Sequence, residues 1–89
     1  MISVVSVFND EEIFNQLLLK SLREQTVPYQ LIALDNRGGR FKSAAEALNY
    51  GASQASGDYI MCVHQDVDLC FPAFLEESER MLKSIADLG

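Results

Sequence analysis

Three short apolar segments alternate with segments of helical periodicity, and this alternation limits what the chain can fold into. Residues 2–8, 30–34 and 59–64 are rich in apolar side chains and have the length of strands. Apolar residues recur at helical spacing from about residue 9 to 25, over 43–55 and from residue 72 onward. Short strands that alternate with helices imply a parallel sheet with right-handed crossovers. We therefore expect one α/β domain of βαβαβα order over residues 1–89.

Local signals predict where these elements end. Residues 9–12 supply an N-cap and first-turn acids for the first helix, and Pro28 cannot continue it. Gly57 is expected to end the second helix in the left-handed conformation. The strand after it is expected to be buried, with Cys62 as a small apolar residue of the core. Pro72 suits the first turn of a third helix that runs to Gly89. The apolar face of that helix is predicted to consist of Phe74, Leu75, Met81, Leu82, Ile85 and Leu88.

Composition and charge argue against several classes of function. The net charge of −6 opposes binding to a nucleic-acid backbone, which requires a basic surface. No apolar run approaches the roughly 20 residues of a membrane-spanning helix. Met1 leads directly into a strand rather than into a signal peptide, and the two cysteines do not make a disulfide framework. We therefore expect a cytoplasmic location, with any membrane association supplied by parts outside these 89 residues.

Polar residues follow each predicted strand, at positions 9–11, 35–36 and 65–68. The carboxyl ends of parallel strands meet at one edge of a sheet, so these residues would line one crevice. Asp66 and Asp68 are separated by one residue, so in an extended segment both carboxylates can point to the same side. Such a pair suits Mg²⁺ or Mn²⁺, with a substrate phosphate completing the coordination. No glycine-rich phosphate loop follows the first strand, which favours a metal as the partner of a diphosphate.

Three segments of the sequence carry recognisable patterns. The first is a strand with an Asn-x-Glu turn at Asn9 and Glu11, followed by a helix that ends at residues 21–26. The second is the strand of residues 31–36 with its acidic end. The third is an Ala-x-Asn-x-Gly and Ala-x-Gly-Asp-Tyr pattern within residues 47–60, which leads to Asp66 and Asp68. In this order and spacing, the segments resemble the N-terminal half of a family 2 glycosyltransferase over nearly the whole chain, with Asp66 and Asp68 at its Asp-x-Asp metal motif.

This resemblance implies a truncated Rossmann-like fold of the nucleotide-diphospho-sugar transferase type and a donor site for a UDP- or dTDP-linked sugar. The residues that would contact the nucleotide are Phe8, Asn9, Glu11, Asp35, Asn36, Asn49 and Asp66. Either Asp35 or Asn36 would hydrogen-bond to the ring N–H of the base. Asp66 and Asp68 would hold Mg or Mn against the diphosphate. Gly51 would allow close packing of its helix.

The chain also departs from the family pattern. Arg37, Arg40 and Lys42 replace the usual acidic positions, either as a solvated loop or as diphosphate contacts. The acceptor-binding half and its catalytic base have no counterpart in these 89 residues, so we expect a fragment that binds the donor without transferring sugar. A sheet with exposed edges further predicts a homodimer.

Two other functions are compatible with the residues. Residues 9–11 and Asp66 at strand ends loosely resemble a receiver-like signalling module, which also needs later strands that these 89 residues do not supply. A non-catalytic α/β interaction domain would show no metal-dependent affinity for nucleotides. Asp66 and Asp68 also suit a simple turn before the third helix, since Asp is common in turns. His64 lies two residues from Cys62, but a structural zinc site needs four ligands, which favours a strand histidine near the cleft.

Overall fold

The computed structural model describes residues 1–88, with the side chains of residues 1–86, and has the predicted alternation of strands and helices. The first helix, α1, covers residues 11–23 and contains an α-helical turn Glu11–Phe14, a π-helical segment Asn15–Leu19 and a second α-helical turn Lys20–Arg23. The other elements are β1 (Ile2–Phe8), β2 (Tyr29–Asp35), α2 (Ala44–Gln54), β3 (Tyr59–Cys62) and α3 (Phe74–Leu88).

Some element ends differ from the sequence-based expectation by a few residues. The first helix ends at Arg23, two residues early. β3 ends at Cys62, although Val63 still donates a backbone hydrogen bond to β1. Pro72 lies in a turn before α3, which begins at Phe74. Such ends depend on the last few backbone hydrogen bonds, which local sequence specifies weakly.

The three strands form a parallel sheet in the order β2-β1-β3. Ile2 is in register with Tyr29 of β2 on one side and with Tyr59 of β3 on the other. The chain leaves β1 through α1 to reach β2, and then crosses back over β1 through α2 to reach β3. The carboxyl ends of all three strands therefore meet at one edge, with β1 in the middle.

Each face of the sheet carries its own apolar core. On the face covered by α1 and α3, the buried residues are Ile2, Val4, Phe14, Leu18, Leu22, Leu69 and Leu75. On the face covered by α2, they are Val5, Leu34, Phe41 and Ala47. Gly51 confirms the expected close packing of α2, because a Cβ there would overlap the side chain of Val5. Three serine side chains, Ser3, Ser6 and Ser21, are buried as well, and the hydroxyl of Ser6 has no hydrogen-bond partner among the described residues.

α1 keeps its buried side chains in line by widening its central turn. Phe14, Leu18 and Leu22 are buried and spaced four residues apart. In a regular α-helix, a step of four residues overshoots one turn by about 40°, so three such residues would drift around the helix. The π-helical segment Asn15–Leu19 has more residues per turn and offsets part of this drift. The widened turn thus keeps all three side chains directed at the sheet.

Gly57 does not adopt the left-handed conformation that the sequence predicted. The backbone φ of Gly57 is not positive, and α2 instead ends with Ala55 in an extended conformation. A Cβ on Gly57 would lie 2.7 Å from the carbonyl oxygen of Met1 and 2.7 Å from Oγ of Ser3. The Gly57 N–H also donates to that Oγ at 2.8 Å. The glycine is therefore needed because the backbone approaches β1 closely, not because of its own backbone conformation.

β3 is an edge strand with one uncovered face. The side chains of Tyr59 and Met61 pack against the first core. On the other face, Ile60 is 49% exposed and Cys62 is also exposed. The prediction of a buried Cys62 was therefore wrong. A strand is buried on both faces only when helices cover both, and α2 packs against β1 and β2 instead.

α3 is anchored at its start and exposes much of its predicted apolar face. Leu75 is fully buried, whereas Met81 is 65% and Ile85 is 59% exposed. Leu82 is exposed as well, while the side chain of Leu88 and all of Gly89 lie outside the described residues.

A second anchor of α3 lies at the chain start, where the amino group of Met1 donates to Asp58 at 2.7 Å and to Glu79 of α3. These contacts tie the start of β1 to both the turn before β3 and the third helix. Within residues 1–88, no helix has the length and apolar character needed to cross a bilayer.

Candidate functional site

A cleft of about 320 Å³ opens at the carboxyl edge of the sheet, around the end of β1. This carboxyl-end cleft is lined by Val7, Phe8, Asn9, Asn36, Ala44, His64, Gln65 and Asp66. It lies where the connections that leave β1 and β2 diverge, since the chain passes from β1 into α1 over one face of the sheet and from β2 into α2 over the other. Open α/β sheets bind their ligands at such switch points, outside the carboxyl ends of the strands.

Gln65 joins the end of β3 to the turn after β1. Its Oε1 accepts hydrogen bonds from the backbone N–H groups of Asn9 at 3.0 Å and Asp10 at 3.1 Å. Its Nε2 donates to Oδ1 of Asn9 at 2.9 Å. Asp10 in turn caps α1 by accepting from the N–H of Ile13 at 3.1 Å. Sequence analysis placed Gln65 at a strand end but gave it no role. The one feature that could have pointed to a role in the site was its position directly before Asp66.

The start of α1 is poorly suited to a bare phosphate. Gln65 already occupies two backbone N–H groups of the turn, and the carboxylate of Asp10 caps the helix. Glu11 and Glu12 add negative charge in the first turn. Carboxylates in the first turn complement the helix dipole and repel a second anion. A phosphate in the cleft would therefore need a cation from elsewhere.

Arg37 binds two carboxylates that the resemblance assigned to the nucleotide. Its guanidinium donates to Asp35 at 2.6 Å through Nη2 and at 3.0 Å through Nε, and to Glu11 at 2.7 Å through Nη1. The hydrogen bonds from the Arg37 side chain, followed by one from its backbone, hold the pKa of Asp35 below its ordinary value of 3.8. The guanidinium also lies 5.9 Å from the centre of the Phe8 ring. Arg37 is thus engaged within the chain, as are Asp35 and Glu11.

The other two cations of this loop also lie outside the cleft lining. The guanidinium of Arg40 lies over the rings of Phe41 and Tyr50, 4.9 Å from each ring centre. Lys42 is exposed. These positions favour the solvated-loop interpretation over contacts with a diphosphate.

Asn36 presents its amide group to the carboxyl-end cleft. Its backbone N–H donates to the carbonyl of Phe8 at 2.8 Å, which continues the β1–β2 pairing. Its side-chain Oδ1 accepts from the N–H of Phe41 at 2.8 Å and so shapes the loop to α2. Asn36 can still offer a ligand its Nδ2 group, which is a hydrogen-bond donor, and the second lone pair of Oδ1, which is an acceptor. Asn36 therefore suits a carbonyl oxygen of a base as well as the ring N–H that the resemblance implied.

Asp66 and Asp68 are both exposed but differ in their surroundings. Asp66 lines the cleft. Asp68 accepts a hydrogen bond from the N–H of Cys70 at 2.7 Å, which closes a turn in which Cys70 has a φ of 70°. A turn, one of the two interpretations that the sequence allowed, is thus present at Asp68. Among the described residues, no group of three or more His, Cys, Asp or Glu side chains could hold a metal.

The loop that carries these aspartates is held at its far end by Gln25, which follows α1. Nε2 of Gln25 donates to the carbonyl of Phe71 at 3.0 Å, and its Oε1 accepts from the N–H of Leu75 at 2.9 Å. Gln65 holds the near end through the turn after β1. Residues 66–70, which we call the acidic span, therefore lie between two fixed points and are also held by Leu69, which is buried in the first core.

An apolar recess of about 90 Å³ adjoins the cleft. The recess is lined by Val7, Ala44, Leu48, Cys62, Val63 and His64, of which three also line the cleft. Sequence reasoning gave no ligand role to Val7, Ala44 and His64. The position of His64 after a strand was a usable signal, whereas that of Ala44 depends on how α2 crosses the sheet.

The structure thus brings together four of the seven predicted nucleotide contacts, namely Phe8, Asn9, Asn36 and Asp66. The other three do not line the cleft: Glu11 and Asp35 pair with Arg37, and Asn49 is exposed on α2. Comparison of the chain with protein-family models, with curated proteins and with solved structures found no match.

Proposed function

We propose that this chain is the nucleotide-sugar-binding part of a glycosyltransferase-like protein, with a truncated Rossmann-like fold. The observation that carries the proposal is the carboxyl-end cleft at the switch point of a parallel sheet, with Asp66 in its lining. The resemblance of the sequence to family 2 glycosyltransferases supports the same ligand class.

Recognition of the nucleoside would depend on Phe8 and Asn36. The Phe8 ring stacks on Phe14 with 4.6 Å between ring centres, so it offers a fixed apolar surface to the ligand. The Nδ2 group of Asn36 would donate to a carbonyl oxygen of uracil or thymine. Both bases carry such acceptors, which fits a UDP- or dTDP-linked sugar. Asn9, held by Gln65, would border the nucleotide.

The donor set fits a metal shared with the substrate, and not one held by the protein alone. Asp66 and Asp68 are exposed carboxylates separated by one residue, and no third protein ligand joins them in the described residues. Mg²⁺ is usually held by one or two carboxylates, substrate phosphates and water, and we propose the same for Mg or Mn here. A metal so bound would stabilise the negative charge that develops on the leaving diphosphate. Asp68 would have to share or release its hydrogen bond with Cys70.

We propose that the chain binds the donor without transferring its sugar. Transfer to a hydroxyl group needs a general base that takes up the proton of the acceptor. Asp66 is the one carboxylate in the described lining of the cleft, and it is already assigned to the metal. Sustained sugar transfer by the 89-residue chain would contradict this part of the proposal.

The proposal is tested by calorimetric titration of UDP and dTDP into the protein, with and without Mn²⁺. We expect weak binding that requires the metal, and little heat from Mn²⁺ alone because the protein supplies only two ligands. The variants Asp66→Asn and Asp68→Asn keep the shape of the side chains and should abolish the effect of the metal. Glu77→Gln is the matched control, since it removes an exposed carboxylate of α3 that lies outside the cleft lining.

A second variant tests the role of Asn36. Asn36→Asp keeps an acceptor for the N–H of Phe41 but replaces the donor with a carboxylate oxygen. This variant should weaken the binding of uridine nucleotides while leaving the melting temperature close to that of the wild type. A folded protein that gives no heat with any nucleotide at millimolar concentration would overturn the proposal and favour a non-catalytic interaction domain.

A further inference from the structure

The apolar recess beside the carboxyl-end cleft has walls from three elements of the fold. Val7 lies near the end of β1, Ala44 and Leu48 lie in the first two turns of α2, and residues 62–64 form the end of β3 and its continuation. Side chains of carbon and hydrogen alone make up most of the lining, namely those of Val7, Ala44, Leu48 and Val63. A polar group placed there would lose water and gain few hydrogen bonds, so the recess favours an apolar group.

The recess adjoins the part of the cleft that a nucleoside would cross. Val7, Ala44 and His64 line both the recess and the cleft. In the proposed binding mode, Asn36 after β2 contacts the base, and Asp66 after β3 holds the metal at the diphosphate. Because β1 lies between these two strands, the nucleoside would pass the end of β1, where Val7 lies. The recess is therefore beside the nucleoside, whereas the sugar of the donor lies beyond the diphosphate.

We infer that the recess receives the 5-methyl group of thymine, so that the chain prefers a thymidine diphosphate sugar as donor; the inference rests on the proposed function. Uracil and thymine have the same ring N–H and carbonyl groups and differ only at C5, which carries the methyl group in thymine. This methyl group is the one apolar substituent by which the two bases differ, and the apolar lining of the recess is complementary to it.

The hydrogen bonds available at Asn36 favour this orientation of the base. Its amide group has a donor and an acceptor, which match the O4 carbonyl and the neighbouring ring N–H of thymine. The methyl group is attached to the ring carbon next to the O4 carbonyl, so it projects from the flank of the ring beside the bonded edge. The opposite flank carries the O2 carbonyl, for which the side chains of Val7, Ala44 and Leu48 offer no donor. The methyl flank is thus the one that suits the recess.

The preference is tested by calorimetric titration of dTDP, dUDP and UDP into the whole 89-residue chain in the presence of Mn²⁺. The nucleotides dTDP and dUDP differ only in the methyl group, and its burial should make dTDP bind about fourfold more tightly. UDP differs from dUDP only in the ribose 2′-hydroxyl. Equal affinities for dTDP and dUDP would overturn the inference and leave the proposed function standing, even if both bind more tightly than UDP. A folded protein that binds none of the three would overturn the proposed function as well.

A variant that fills the recess tests where the methyl group lies. Cys62 lines the recess but not the cleft, and it is exposed, so a larger side chain can be placed there. Cys62→Leu should therefore abolish the difference in affinity between dTDP and dUDP. Ile60→Leu is the matched control, because Ile60 is exposed on the same face of β3 and lies outside the lining of the recess. This control should keep the preference of the wild type, and a preference that survives in Cys62→Leu would overturn the inference.

A chemical readout that does not depend on the Cys62→Leu variant is the reactivity of the Cys62 thiol. In a Cys70→Ser background, Cys62 is the one cysteine left, and iodoacetamide should alkylate it because it is exposed. At saturating concentrations with Mn²⁺, dTDP should slow this alkylation more than dUDP does, since only dTDP places a group in the recess. Equal protection by the two nucleotides would contradict the proposed position of the methyl group.

Discussion

Replacing Gly57 by alanine should destabilise the fold strongly, because the new methyl group has no space. It would lie 2.7 Å from the carbonyl oxygen of Met1, 2.7 Å from Oγ of Ser3 and 2.9 Å from the backbone nitrogen of Ser3. Two of these three atoms belong to the backbone of the chain start and β1, which cannot move without disturbing the sheet. Overpacking of this kind costs about 1–3 kcal/mol. Displacing the Gly57 N–H from Ser3 adds about 0.5–1.5 kcal/mol.

The net loss follows once the usual benefit of removing a glycine is subtracted. A Gly→Ala replacement restricts the unfolded chain and returns about 0.4–1 kcal/mol, so the net loss is about 2 kcal/mol at the middle of these ranges and about 4 kcal/mol at most. A chain of 89 residues has a total stability of about 4–13 kcal/mol. For a domain of this size, the midpoint of thermal unfolding should fall by about 10–20 °C.

Urea and thermal unfolding of Gly57→Ala and Gly38→Ala measure this difference directly. Gly38 is the matched control, because a Cβ there would have nothing within 4 Å and its φ is not positive. Gly38→Ala should therefore be neutral or slightly stabilising. If both variants lose the same small amount of free energy of unfolding, the close approach of Gly57 to β1 does not exist and the reasoning is refuted.

Three further predictions rest on single contacts. Ser6→Ala removes a buried hydroxyl without a partner in the described chain and should raise the free energy of unfolding by about 1 kcal/mol in urea; a loss would show that the hydroxyl is satisfied. Gln65→Ala removes three hydrogen bonds and should cost about 1–2 kcal/mol, with faster hydrogen exchange at the amides of residues 9 and 10; unchanged exchange would contradict this. Hydrogen bonds to Asp58 and then Glu79 raise the pKa of the Met1 amino group above 8.0, so the stability they provide is complete below pH 8 and is lost as the pH rises through the raised pKa. Asp58→Asn should show a smaller loss between pH 8 and 10, and identical pH profiles would refute the contact.

The order of the elements was predictable because it depends on local periodicity. Strands and helices differ in the spacing of their apolar residues, and that spacing is visible in the sequence. The exposure of Cys62 was not predictable in the same way. This exposure arises because β3 is an edge strand that α2 does not cover. The strand order β2-β1-β3 depends on how all the elements pack, and local periodicity does not reveal it. Gly57 was recognised as special for the wrong reason, since its close neighbours, Met1 and Ser3, are more than fifty positions away.

The candidate site shows the same division between local and distant information. Asn9, Asn36 and Asp66 could be assigned to one crevice because the carboxyl ends of parallel strands always meet. The sequence could not show that Glu11 and Asp35 do not line this crevice. Their carboxylates are occupied because Arg37 pairs with Asp35, two residues away, and with Glu11 at the start of α1. The sequence places these three charged residues after neighbouring strands, but it does not show which of them form ion pairs. The roles of Gln65 and Gln25 were hidden for a related reason, since amide side chains that bridge distant loops leave no periodic pattern.

The suspension of the acidic span between Gln65 and Gln25 has a consequence for ligand entropy. Fixing the backbone of one residue costs about 1–2 kcal/mol in lost conformational freedom, and a freely mobile loop must meet that cost when a ligand arrives. Here the hydrogen bonds of Gln65 and Gln25 already fix the residues on both sides of positions 66–70. Binding of a cation would therefore have to order at most these five residues. Preorganisation of this kind strengthens binding without adding a contact. Gln25, which follows α1 and lies outside the cleft lining, would then set part of the affinity of that cleft.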